Sequence, residues 1–465
     1  MLKCYNVASM RKILTLIALI LFIPAVPAMS EVKRFLKGNP ADVHPKLHGP
    51  AFHFQGGGDD VDAAFQWMFD QVRGCTDCST KLDVVVLRAS GDDDYNDYLL
   101  AMKGVDSVET LIITAPEDSK RPDVIQTVRN AEVIFVAGGD QCNYVHNFKN
   151  TPLQSAIASV IKRGGGIGGT SAGLAIQGDY MYDACNGSTK SFEALANPYD
   201  QSISFTYDFF HWPNMDQTMT DQHMVERDRM GRTLAFLARQ IRDGKTKSVL
   251  GVAVDRETSL AVDKKGLGRV MGKGPAYFIL ADHKPELCEP GKPLSFSNYK
   301  IWKLDAGGEF DLRHRPKNGF YLRSVRDGVL DADPYSKESC DPQIASLSTI
   351  HDSSLLEQKI QEISRACPYD FGPFKFVDKT NDPSYIQKKS VELRRFLDSA
   401  TRPDRLLYFP TLWQLELRNA PPEKVEEVHK EVAEDLKRLK SEKDFSGNDA
   451  AQVLQRGEEI ISEKK

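Results

Sequence analysis

Between residues 51 and 175 short apolar runs alternate with longer segments whose apolar residues recur at helical spacing. AFHF (51–54), VVVL (84–87), TLII (110–113) and VIFVA (133–137) are brief and rich in β-branched and aromatic residues. Those are the marks of buried strands. Between them VDAAFQWMFDQV (61–72), PDVIQTVRNA (122–131) and TPLQSAIASVIKRG (151–164) place apolar residues three and four apart, and the last stops at glycine. These segments predict helices. The alternation predicts an α/β fold, a mostly parallel sheet with helices on both faces. Ligands of such sheets bind at the carboxyl ends of the strands. Two strands there run into glycine-rich loops, VAGGDQ (136–141) and GGTSAG (168–173).

After residue 250 the pattern becomes β-rich, with alternation and glycine turns through SVLGVAVDRETSLAVDKKGLGRVMGKGPAYFIL (248–280). It predicts hairpins packed at the sheet edge. The segment 316–465 is harder to assign, apart from PPEKVEEVHKEVAEDLKRLKSEKD (421–444). Val425, Val428, Val432, Leu436 and Leu439 form one stripe there, which predicts a helix packed on its own protein. The repeat is too short for a coiled coil.

The first residues carry a different signal. Met10–Ala28 has a basic start, an apolar run from Ile13 to Ile23, and the small residues Val26 and Ala28 at its end. This is the pattern of a cleaved secretory signal, 1–28, with translation starting at Met10; it implies a secreted or periplasmic protein without a stable membrane span. Residues 29–50 follow as a linker. Of eight cysteines, Cys4 lies upstream of the cut. In an oxidising compartment some of the others pair: Cys75 and Cys78 suit a small ring, Cys340 and Cys367 suit a C-terminal bridge, and the odd number leaves a free thiol. No second ligand pair accompanies Cys75 and Cys78, so no metal is expected. A net charge of −5 gives no reason to expect a nucleic-acid partner. No cofactor motif is present, and the sequence leaves room for a homodimer.

The chemistry begins at Ser171. Gly-x-Ser-x-Gly between a strand and a helix is the pattern of a nucleophile elbow, whose strained turn exposes the hydroxyl. The N–H of Ala172 is placed as an oxyanion donor. A serine needs a base, and His223 in TDQHMVERDRMGRTL (220–234) is the candidate, flanked by Asp221, Gln222, Arg227, Arg229 and Arg232. An acid should orient the imidazole. Asp255 and Glu257 in GVAVDRETSL are the candidates, and one of them serves. The order serine, histidine, acid differs from that of the α/β-hydrolases.

Together GGGDD (56–60), IFVAGGDQ (134–141), GGTSAGLA (168–175) and the histidine segment resemble the serine peptidase family of cyanophycinase and aspartyl dipeptidase. The resemblance spans about residues 51–315 and leaves 316–465 as an extension with helices. It implies a class I glutamine amidotransferase-like fold. By position it implies Ser171 as nucleophile, His223 as base, Gly139 and Ala172 as oxyanion donors, and Gln141, Asp221, Gln222, Arg227, Arg229 and Arg232 as substrate-binding residues. The arginines imply a carboxylate-rich peptide substrate. The family's acid lies in a GIDExT stretch; Arg256 occupies that glutamate's place, and a shift of one residue makes Glu257 the acid. Arg256 also motivates a second reading, a non-catalytic relative that binds acidic peptides; a small-molecule amidase is a third.

Overall fold

The computed structural model of this chain describes residues 32–336, 383–398, 408–442 and 448–462, with isolated positions between them. The expected signal segment and the expected Cys340–Cys367 bridge lie outside the described residues. The chain divides at residue 33, and the architecture below is that of the larger unit.

Among the described residues, seventeen strands form two sheets. The first joins, in spatial order, β1 (Lys33–Gly38), β4 (Val105–Ile112), β3 (Leu82–Arg88), β5 (Val133–Val136), β6 (Gly166–Thr170), β2 (Ala51–Gln55), β11 (Thr258–Val262), β12 (Leu267–Gly272) and β15 (Glu309–Asp311). From β4 to β2 every pairing is parallel. The remaining pairings, from β2 to β15, are antiparallel. The second sheet joins β17 (Val329–Leu330), β16 (Tyr321–Arg326), β14 (Phe296–Leu304), β13 (Ala276–Ala281), β10 (Val249–Val254), β9 (Thr218–Gln222), β7 (Tyr180–Tyr182) and β8 (Phe205–Tyr207).

The parallel core follows the expected pattern for a physical reason. Its strands are apolar on both faces because helices cover both. Val84, Val86 and Phe135 point into a core with Phe65, Met68 and Phe69 of the helix Asp62–Arg73. The β-rich part does more than decorate the edge. It builds a mostly antiparallel second sheet, whose core includes Leu234, Phe236 and Leu237 of the helix Met230–Arg242. That sheet extends past residue 315 to β16 and β17, and Tyr335 beyond them is wholly buried. The boundary read at 315 therefore falls inside the sheet. The linker read at 29–50 likewise contributes an edge strand, β1, whose Arg34 pairs with Glu109 of β4 at 2.6 Å.

One crossing between the sheets matters for function. Val254 ends β10 in the second sheet and Thr258 begins β11 in the first. Asp255, Arg256 and Glu257 carry the chain across.

Among the described residues two disulfides are formed, Cys75–Cys78 and Cys142–Cys185. Cys288 is a buried free thiol, and burial pushes its pKa up to about 12, which leaves it unreactive. In the C-terminal part, helices Pro383–Asp398, Phe409–Asn419, Val425–Ser441 and Asn448–Ser462 share a core around Phe409, Leu412 and Trp413. Val428, Val432, Leu436 and Leu439 face it, and Val425 is half-buried; the stripe packs within its own chain. No helix among the described residues is long and apolar enough to cross a membrane.

Candidate active site

β6 delivers Ser171 to its carboxyl end and the chain turns at once. Ser171 has φ 51° and ψ −113° and is followed by the helix Ala172–Ala175. A side chain seldom adopts that backbone, and such strain persists where the surroundings impose it. The surroundings are close: a Cβ on Gly173 would lie 2.0 Å from the Val136 carbonyl oxygen. Only glycine lets the turn pack against β5. The helix is a single turn, so charge at the serine meets individual N–H groups rather than a long dipole. The N–H of Ala172 starts that turn and has no carbonyl partner within it.

His223 follows β9 of the second sheet and also has a positive φ, 49°. Its N–H donates to the Gly56 carbonyl at 2.9 Å, which fixes it beside the glycine loop after β2. There Gly57 (φ +110°) lies against the ring: a Cβ would sit 2.3 Å from Nε2. So held, Nε2 is 2.9 Å from Ser171 Oγ. The two residues come from different sheets and meet over the glycine loop.

The carboxylate at the imidazole is not one that the sequence reading placed there. Nδ1 of His223 is 2.5 Å from Oε2 of Glu226, three residues on in the same turn. Glu257 does not take this position. Its Oε2 accepts from Lys273 Nζ at 2.6 Å and its Oε1 lies 3.3 Å from Arg256 Nε. Asp255 is not at the ring either: its Oδ1 accepts from the N–H groups of Val225 and Glu226, at 2.9 and 3.2 Å. It therefore braces the turn that carries Glu226, and burial raises its pKa. Arg256 Nη1 lies 3.4 Å from Glu226 Oε1. The reason for the difference is the sheet crossing: residues 255–257 pass alongside the histidine turn instead of ending at the ring.

Burial, reinforced by Arg227, lowers the His223 pKa to about 4 against the pull of Glu226. The imidazole is then neutral at pH 7 and free to accept a proton. Burial alone would raise the Glu226 pKa, but the hydrogen bond and charge of His223, with Arg227 and Arg256, hold it at about 2.

Ser171 and His223 open on a cleft of about 520 Å³, whose lining includes Gly138, Thr170, Arg227, Asp60, Arg88 and Tyr95. Gly138, not Gly139, is the loop residue on this lining, and a Cβ on it would lie 3.7 Å from Ser171 Cβ. Burial raises the Asp60 pKa to about 6, and its Oδ1 accepts from Gln55 Nε2 at 3.1 Å.

Several expected substrate contacts are structural. Arg232 is fully buried and grips Asp221 with Nη2 at 2.5 Å and Nε at 3.0 Å. Thr233 Oγ1 also donates to Asp221. Burial would raise the Asp221 pKa, but Arg232 outweighs it and the pKa is lowered. Arg229 is buried, with Nη1 donating to the Gln222 carbonyl at 3.1 Å, and Gln222 is buried beside it. Gln141 starts the helix Gln141–Phe148, largely buried and off the lining. Of the three arginines, Arg227 lines the cleft. The lining residues Asp60, Arg88, Tyr95 and Tyr98 went unread, since nothing local links those positions to Ser171. Glu226 had a local signal, a carboxylate one turn beyond the histidine.

Among known proteins, peptidase family S51 matches residues 89–238. A cyanophycinase of Trichormus variabilis is 27% identical over 218 residues, covering 46% of this chain and 67% of that protein. One of Synechococcus elongatus is 25% identical over 215 residues, covering 45% and 62%. A crystal structure of a peptidase from an acI-B1 Actinobacterium aligns over 57% of this chain and 98% of its own, with a TM-score of 0.40 and 15% identity. The segment bearing the elbow and the histidine is thus similar in sequence to peptidase family S51 and to cyanophycinases.

Proposed function

We propose that this chain is a secreted hydrolase that cleaves aspartate-rich or β-aspartyl peptide bonds through an acyl-enzyme on Ser171. The observation that carries the reading is the line Ser171 Oγ–His223 Nε2–His223 Nδ1–Glu226 Oε2, with distances of 2.9 and 2.5 Å at its two ends. In this reading His223 takes the Ser171 proton as Oγ attacks the scissile carbonyl carbon. The oxyanion is met by the N–H of Ala172 and by the Gly138–Gly139 loop. The intermediate collapses, the C–N bond breaks, and the leaving amine receives the proton from His223. Water, deprotonated by His223, then hydrolyses the ester and frees Ser171. Glu226 holds Nδ1–H throughout and stabilises the imidazolium.

Arg227 supplies positive charge on the cleft lining, which supports a substrate with carboxylates. Arg256, the feature behind the non-catalytic reading, stands beside a carboxylate that already reaches the imidazole. The test is a substrate panel of polyaspartate-backbone polymer, aspartyl dipeptides and simple amides, run on wild type and Ser171→Ala. Hydrolysis of the aspartyl substrates by wild type alone is expected. Unchanged turnover in the variant would sink the assignment, and turnover of simple amides alone would move it to an amidase.

A further inference from the structure

Glu226 has two carboxylate oxygens and only one is held by the imidazole. The other, Oε1, faces Arg256 Nη1 at 3.4 Å. Arg256 is itself gripped from behind: its Nε lies 3.3 Å from Glu257 Oε1, and Glu257 Oε2 takes Lys273 Nζ at 2.6 Å. Its stem is pressed under the glycine loop, where a Cβ on Gly58 would lie 2.5 Å from Arg256 Cγ. Charges alternate along this line from Lys273 to Glu257, Arg256 and Glu226, which meets the neutral imidazole of His223. The Arg256 and Glu226 side chains are only 26% and 19% exposed, so solvent screens this pair less than an ordinary surface pair.

The sequence shows the same thing from the other side. Where the resembled family has its acid, directly after the aspartate of the strand end, this chain has Arg256. The carboxylate at the ring comes from the histidine's own turn. A glutamate there can swing about its side-chain torsions, and a partner on Oε1 restricts that swing. We propose that Arg256 is a positioning residue for the catalytic line: the arginine clamps Glu226 against His223. Asp255 and Arg256 divide the task, the first holding the backbone of residues 225 and 226, the second the side chain.

The inference rests on the reading of Ser171, His223 and Glu226 given above, and a double-mutant cycle separates the two. Wild type, Arg256→Gln, Arg256→Lys, Glu226→Gln and Glu226→Gln/Arg256→Gln are compared on the best substrate of the panel. Labelling of Ser171 by a serine-directed phosphonate serves as a second readout, and thermal melts serve as the folding control. Arg256→Gln should lower kcat and the labelling rate by about ten- to a hundred-fold, the range for partners that orient a catalytic group from behind, with KM little changed. Arg256→Lys should recover part of the loss. In the Glu226→Gln background Arg256→Gln should cost nothing further, because its effect runs through Glu226. An equal loss in both backgrounds, or wild-type rates in Arg256→Gln, would overturn the proposal. Wild-type rates in Glu226→Gln would instead overturn the assignment of the acid itself.

Discussion

At the scale of residues, catalytic competence depends on a few backbone positions more than on any large feature. Ser171, His223 and Glu257 all have positive φ, and Gly57 leaves room for the imidazole that no other residue would. Gly57→Ala should therefore push the ring off the 2.9 Å contact with Ser171; kcat should fall by at least about a hundred-fold, the usual scale of a lost general base, while melting shows only a modest decrease. The carboxylates separate as cleanly. Glu226→Gln should lower kcat by up to about 10⁴-fold, as amide replacement of a triad acid does; Glu257→Gln, one charge further back, should cost far less. The reverse ranking in steady-state kinetics would return the acid to Glu257. The pH profile follows from the lowered His223 pKa. Protonated His223 cannot accept the serine proton, so kcat/KM should fall as pH drops through about 4 and be flat from there to neutrality. A free-enzyme limb near 6.5, the value of an unperturbed histidine, would contradict the buried imidazole.

Elements decide which polar residues face substrate. The helix Met230–Arg242 packs its first turn against β9, and Arg232 meets Asp221 across that contact. A carboxylate and a guanidinium this deeply buried are tolerable only together. Asp221→Ala and Arg232→Ala should each lower unfolding free energy by about 3–5 kcal/mol, as measured by denaturant titration. Arg227, on the cleft lining, should behave oppositely: Arg227→Ala should raise KM for carboxylate-bearing substrates with a smaller loss of stability. The run of arginines after His223 is legible as a functional segment. Its division into one cleft residue and two buried ones is not, because burial depends on how the helix and β9 meet.

Over the whole molecule the site is a meeting of two sheets. Ser171 ends a strand of the first, His223 ends a strand of the second, and residues 255–257 cross between them. The disulfide Cys142–Cys185 links the helix after β5 of the first sheet to the segment after β7 of the second. Closing a chain separation of 43 residues constrains the unfolded state by about 4 kcal/mol. Cys142→Ser/Cys185→Ser should therefore melt at a lower temperature than wild type under oxidising conditions, and the difference should vanish in reductant. Tyr335 ties the far end of the second sheet to the histidine turn: its hydroxyl donates to Asp228 Oδ1 at 2.8 Å and accepts from Met230 N–H at 3.0 Å. The domain boundary suggested at 315 was drawn too early, because the irregular segment that follows offers no period to read before it docks.

What the sequence determined by itself is local. Period and glycine placement specify the parallel core, the elbow at Ser171, the histidine turn and the C-terminal amphipathic helix, since each depends on residues a few positions apart. Only the tertiary structure decided which carboxylate meets His223, which arginine faces the cleft, and which distant residues complete its lining. Those outcomes depend on how two sheets pack and where the chain crosses between them. Asp255 and Glu257 look like acids in an extended strand end, but the crossing turns one toward the backbone of Val225 and Glu226 and the other toward Lys273. The imidazole is left to Glu226, which the same turn already holds within reach.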